Sequence, residues 1–99
     1  MPRPDEPSPD PVPIPIEDAL DLHGFAPGEI PSVVESYLEA AAEAGFAEVR
    51  LIHGRGLGVQ RTRVRALCRR HALVVEVREA TPERGGAGAT VVRLGRRQP

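Results

Sequence analysis

From about Asp18 onward the chain alternates apolar and polar residues in patterns that name its elements. In "ALDLHG", Leu20 and Leu22 alternate with Asp21 and His23, the period of two that marks a short strand with its polar pair on one face. Ile30, Val33, Val34, Tyr37, Leu38 and Ala41 then recur at three- and four-residue spacing, which predicts a helix with one apolar stripe. Pro27 suits its first turn, and Gly45 can take the left-handed conformation that ends it. Glu35, Glu39 and Glu43 line another face, so the stripe is expected to pack against a sheet and the acids to face water. "AEVRLIHG" supplies a second strand. After a glycine-rich turn, a second helix is predicted from about Val59 to His71, with Val64, Leu67 and Cys68 on its apolar side. Residues 73–78, "LVVEVR", and 89–94, "ATVVRL", are rich in valine and read as two further strands joined by "EATPERGGAG".

The order is strand, helix, strand, helix, strand, strand. Strand-helix-strand units cross over right-handedly and bring their strands parallel. The expected fold is therefore a two-layer α/β sandwich, βαβαββ, with two helices on a mixed four-stranded sheet whose last strand is an antiparallel hairpin arm. Before it, seven prolines fall between Pro2 and Pro15. Proline lacks an amide donor and fixes its own torsion, so residues 1–16 are expected to form an extended tail outside a domain at 17–96. The tail reads as a linker, with a PxxP ligand for a protein partner as the other reading.

No apolar run approaches the roughly 20 residues that cross a bilayer, and the N-terminus lacks the apolar core of a secretion signal. One cysteine, Cys68, excludes an internal disulfide framework and is expected to be a buried, inert thiol. A soluble protein of the cytoplasm, with no membrane partner, is the expectation.

Charge changes the picture. The formal net charge is −1, yet residues 1–48 hold eleven acids against one arginine, and residues 49–99 hold twelve arginines against three acids. Between Arg50 and Arg70 there are seven arginines and no acid, a local positive field of the kind that attracts polyanions. Arg61, Arg65 and Arg69 stack at four-residue intervals on the second predicted helix, an accessible stripe suited to gripping phosphates.

In open α/β sheets, ligands bind beyond the carboxyl ends of parallel strands. Asp21 to Gly24 end the first predicted strand and His53 to Gly56 the second, so the two motifs are expected to meet. Gly54, Gly56 and Gly58 let the backbone turn tightly, and the following helix points unpaired amides and a partial positive charge at the same place. Arg55 adds a forked donor, which suits a phosphate. Neither familiar nucleotide loop fits: a Walker loop needs lysine, of which the chain has none, and the glycines are spaced G-x-G-x-G rather than G-x-G-x-x-G.

The segments "LDLHG" at 20–24, "HGRG" at 53–56 and "GGAGATVV" at 85–92 resemble, in order and spacing, the three signature segments of the Smr (small MutS-related) domain. Members of that family occur alone or at the C-terminus of second-type MutS proteins. The resemblance implies endonuclease activity, nicking of DNA or cleavage of RNA, in some members on stalled ribosomes. It also implies that Asp21, His23 and the His53–Gly56 segment matter for activity. From the groups themselves, His23, His53 and Arg55 can serve as base, acid and phosphoryl clamp, with Asp21 orienting a histidine. No cofactor is needed if an RNA substrate brings its own 2′-hydroxyl. For DNA, Asp21, His23 and His53 are the alternative ligand set for a divalent metal that would activate water. Arg84 and amides freed by Gly85, Gly86 and Gly88 are expected to clamp an anion from the opposite side. Among the three aromatic residues, Phe25 alone is placed to stack on a base, so backbone binding is expected to be largely nonspecific for sequence. The other functional class left open is a noncatalytic module that binds nucleic acid or a ribosome.

Overall fold

The computed structural model describes residues 16–56 and 58–95. The proline-rich tail expected over residues 1–16 lies outside the described residues except for Ile16. The elements follow the predicted order: β1 (Ala19–Asp21), α1 (Ile30–Glu43), β2 (Glu48–Ile52), α2 (Val59–Arg70), β3 (Val74–Glu79) and β4 (Ala89–Leu94). Three-residue 3-10 turns precede α1 at Pro27–Glu29 and occupy the β3–β4 connection at Pro82–Arg84 and Gly86–Gly88.

The sheet runs β1-β2-β4-β3. β1 and β2 are parallel, and β4 is antiparallel to both of its neighbours. β2 and β3 therefore run in the same direction, as a crossover through α2 requires, but β4 is inserted between them. The hairpin arm is thus an interior strand, which explains why "ATVVRL" is almost wholly buried.

The alternation in the strands sorts the two faces. Val49 and Leu51 of β2, with Val92 and Leu94 of β4, join Ile30, Val34, Leu38 and Ala41 of α1 and Val64 and Cys68 of α2 in one core. Cys68 is fully buried there, and burial pushes its thiol up to about 11, the inert state expected of it. The opposite face carries a smaller cluster of Ala80, Ala89 and Val91 with Ile52 packed on it. Parity on β4 puts Thr90 on the helix side with Val92 and Leu94, a polar residue committed to the interior.

Helix ends follow local chemistry. Gly45, at φ 92°, terminates α1 as its sequence position predicts. Ala26 offers no side-chain cap before α1, and Glu29 compensates by accepting the Ala26 amide at 3.2 Å.

Candidate functional site

β1 and β2 end side by side, with Asp21 opposite Ile52 and the Leu22 amide donating to the Ile52 carbonyl at 2.8 Å. That register brings the LDLHG and HGRG segments together. β4 begins beside them: the amides of His53 and Gly54 both donate to the Gly88 carbonyl, at 3.1 and 2.9 Å. All three segments therefore meet at one end of the sheet.

The two histidines sit in opposite environments. His23 is open to solvent, its side chain 62% exposed. Its Nδ1 lies 2.6 Å from Asp21 Oδ1, and the same carboxylate oxygen accepts the His23 amide at 2.9 Å. Those hydrogen bonds, the backbone one first, hold the Asp21 carboxyl below its ordinary value. With Nδ1 committed to the carboxylate, Nε2 is the nitrogen left to face a ligand.

His53 is buried, and both of its nitrogens are engaged. Nδ1 lies 2.8 Å from the Gly54 carbonyl and Nε2 lies 2.8 Å from Thr90 Oγ1, which also accepts Arg65 Nε at 3.0 Å. One set of proton positions satisfies the whole chain: Arg65 donates to Thr90, Thr90 donates to His53 Nε2, and His53 Nδ1–H donates to Gly54. That set requires a neutral ring. Burial, together with the nearby Arg65 and Arg61 charges and against the Gly54 hydrogen bond, lowers the His53 pKa from its ordinary value.

Gly54 is locked between the two. Its φ of +83° favours glycine, and a Cβ there would lie 2.7 Å from His23 Nε2. Arg55 next to it packs over the 3-10 turn of β4's approach: Cβ atoms at Gly86 and Gly88 would stand 3.3 Å from Arg55 side-chain atoms. Among the described residues, no carboxylate pairs with Arg55 or Arg61.

α2 opens on Gly58 in the left-handed conformation, with no side-chain cap and no acid in its first turn. The first amides of a helix have no partner within the helix, and this one leaves its positive end bare. The Arg61 guanidinium lies over Gly58, 3.0 Å from where a Cβ would be. A hollow of about 230 Å³, lined by His53, Gly54, Arg55, Gly58, Val59 and Gln60 among others, occupies this corner. A second of about 170 Å³, on the other side of His53, includes His23, Phe25 and Gln60.

Several sequence expectations are corrected. Arg65 is not part of an accessible stripe: it bends inward to Thr90 and lies 3.7 Å from Glu79, while Arg69 stays exposed. A residue bordering Val64 and Cys68 is close enough to the sheet for a buried hydroxyl to capture its guanidinium. Arg84 does not clamp the site, because its guanidinium lies 3.5 Å from Glu48 at the far end of β2. Nor are the loop amides free: Gly85, Gly86 and Gly88 donate to Pro82, Thr81 and Gly85 within their own turns. The alternative metal set of Asp21, His23 and His53 does not converge, since the first two pair with each other and His53 spends both nitrogens elsewhere. His71, just beyond the end of α2, accepts the Leu73 amide on Nδ1 at 3.1 Å.

Thr90 and Gln60 escaped the sequence reading. The signal for Thr90 was present, a lone hydroxyl at an inward position of a valine strand. Gln60, in the first turn of α2, touches both hollows and carries a buried carbonyl oxygen with no partner among the described residues.

Residues 20–95 match the family model of the Smr domain. Endonuclease MutS2 of Halalkalibacterium halodurans is 42% identical over 79 residues, covering 80% of this chain and 10% of that protein. Endonuclease MutS2 of Thermomicrobium roseum is 38% identical over the same length. The crystal structure of the Smr domain of Thermus thermophilus MutS2 superposes with a TM-score of 0.75 at 36% identity, covering 81% of this chain and 100% of that one. YdaL, a stand-alone small MutS-related protein from Escherichia coli, gives 0.76 at 27% identity, covering 83% and 67%. The chain spans about 10% of the length of the curated relatives it matches. No helix among the described residues is long and apolar enough to cross a membrane.

Proposed function

The chain belongs to the Smr domain family, and we propose on that footing that it is a nucleic-acid endonuclease that cleaves phosphodiester bonds with a carboxylate-oriented histidine. The endonuclease relatives support nucleic-acid binding and nuclease chemistry as the class. The observation that carries the reading is the Asp21–His23 pair, a 2.6 Å contact that fixes one imidazole tautomer and leaves Nε2 uncommitted beside the Gly54 turn. That is the arrangement a general base needs: orientation by a carboxylate on one nitrogen, access to the substrate on the other.

The phosphate is held by Arg55, Arg61 and the bare amides at the start of α2. These groups face developing negative charge without reorganising, which is where electrostatic stabilisation acts most strongly. His53 holds the turn that carries them. Its neutral ring, tied to Gly54 and Thr90, keeps the peptide against which His23 rests. A single free imidazole suits a substrate that supplies its own nucleophile. The 2′-hydroxyl of RNA gives up its proton to His23 Nε2, the oxygen attacks phosphorus, and the departing 5′-oxygen takes the proton back. Backbone contacts dominate binding, so most of the affinity is independent of sequence.

The test incubates the purified chain with end-labelled RNA and with supercoiled DNA, with and without chelator, alongside His23→Ala and Asp21→Asn. RNA cleavage that survives chelation, leaves 2′,3′-cyclic phosphate ends and vanishes in His23→Ala is the expected result. Substrates left intact by the wild-type chain while it still binds them would replace this reading with a noncatalytic binding module.

A further inference from the structure

We propose that the hollow between the β1–α1 loop and the first turns of α2 is a nucleobase subsite, in which Phe25 stacks on the base and the Gln60 amide accepts from an exocyclic amine. The proposal rests on the phosphate reading of the neighbouring hollow and adds a preference at one nucleotide to an otherwise unspecific grip.

The subsite measures about 170 Å³. Leu22, Ile30 and Val64, all buried, form its apolar part and His23, His53 and Gln60 its polar part, a mixture that suits a planar heterocycle. Phe25 stands at its edge, 38% exposed and one of only four large apolar side chains so exposed among the described residues. An aromatic face kept partly in water beside an apolar hollow is a stacking platform, useful for any base.

Gln60 supplies what stacking lacks. It lines both this hollow and the one at the α2 N-terminus, and among the described residues His53 is the only other one common to the two. The two hollows are therefore neighbours that share the Gln60 and His53 side chains, as a base and its own phosphate would require of adjoining subsites. The Gln60 carbonyl oxygen is buried and accepts no hydrogen bond among the described residues. A buried acceptor without a donor is costly, and it favours a ligand that brings an N–H. A half-turn of the terminal amide would bring that oxygen to the hollow in exchange for the amide nitrogen. Adenine and cytosine present an exocyclic amine at the outer corner of their pairing edge, where uracil presents a carbonyl and keeps only its ring N3–H as a donor. Amino bases are accordingly favoured.

The experiment titrates the full chain, uniformly labelled with nitrogen-15, with AMP, CMP, UMP and ribose 5-phosphate, following amide and Gln side-chain resonances. AMP and CMP are expected to bind about 5- to 10-fold more tightly than UMP, the effect of one hydrogen bond, and to shift Phe25 and Gln60 signals. Ribose 5-phosphate is expected to shift the amides near residues 54–61 and leave Phe25 untouched. Gln60→Leu should bring AMP down to UMP, and Phe25→Ala should bring all three nucleotides toward ribose 5-phosphate, each variant retaining a dispersed spectrum. Equal binding of AMP and ribose 5-phosphate would overturn the subsite while the phosphate reading stands. Equal binding of AMP and UMP would overturn the role of Gln60. Failure of ribose 5-phosphate itself to shift the α2 N-terminus would remove the phosphate reading and this proposal with it.

Discussion

Replacing Thr90 by valine isolates the contribution of a single hydroxyl. Threonine and valine have nearly the same shape, so no cavity opens and β-propensity is kept. What disappears is the oxygen that joins His53 Nε2 and Arg65 Nε. His53 is left with a buried nitrogen and no partner, a cost of about 1–3 kcal/mol. Arg65 is 20% exposed and already close to Glu79, so it recovers part of its loss; about 1 kcal/mol is the share expected from it. The sum, about 2–4 kcal/mol, corresponds to a fall in Tm of about 4–8 °C for each kcal/mol in a domain of this size. Thr90→Ser keeps the hydroxyl and removes one methyl, at about 1 kcal/mol. Thermal and urea unfolding of the three chains provides the stability comparison, and cleavage by the folded variants provides the functional one. Valine is expected to lower kcat more than it changes nucleic-acid affinity, because the side chains proposed to hold phosphate remain while the Gly54 turn loses its anchor. If the valine variant proves as stable as the serine one, or loses affinity and turnover in equal measure, the hydrogen-bonded chain is not what holds the turn.

Gly54→Ala should be more damaging than its size suggests, because φ is +83° and the new methyl would meet His23 Nε2 at 2.7 Å; a loss of His23-dependent cleavage with retained salt-sensitive binding is the expected pattern. The lowered pKa of His53 predicts a pH effect with a definite sign. The unfolded chain binds the proton more readily, so the stability held by the neutral ring is complete above about 6.5 and is lost as pH falls through the lower folded value. Urea midpoints measured from pH 8 down to pH 5 should fall more for the wild-type chain than for His53→Gln, and parallel curves would refute the assignment. Affinity for single-stranded RNA should fall with a log-log salt slope of about 0.7 per phosphate contacted. Arg55→Ala should flatten that slope and Arg84→Ala should not, since Arg84 is turned to Glu48.

Much of the architecture could be read from periodicity because it depends on which face of an element is apolar. The stripe from Ile30 to Ala41, the alternation of Val49 and Leu51 and the stop at Gly45 all act within one element, and the structure places them as expected. The insertion of β4 between β2 and β3 is a choice among strand partners, and no residue within "ATVVRL" encodes its neighbours. The site divides in the same way. That LDLHG and HGRG would meet follows from the parallel pairing of two strands that end together. The difference between the two histidines follows only in part, because one of them is fixed by a residue distant in sequence. His23 owes its orientation to a carboxylate two residues away, a contact compatible with full exposure. His53 is fixed by Thr90, 37 positions later, which faces the helices only because β4 starts at Ala89 and alternates from there. Were β4 shifted by one residue, Thr90 would face the opposite side, His53 would lose its partner, and both imidazoles would be candidates for proton transfer. Strand register, more than the HGRG motif itself, therefore decides which histidine keeps a ring nitrogen uncommitted, the property on which the proposed base depends.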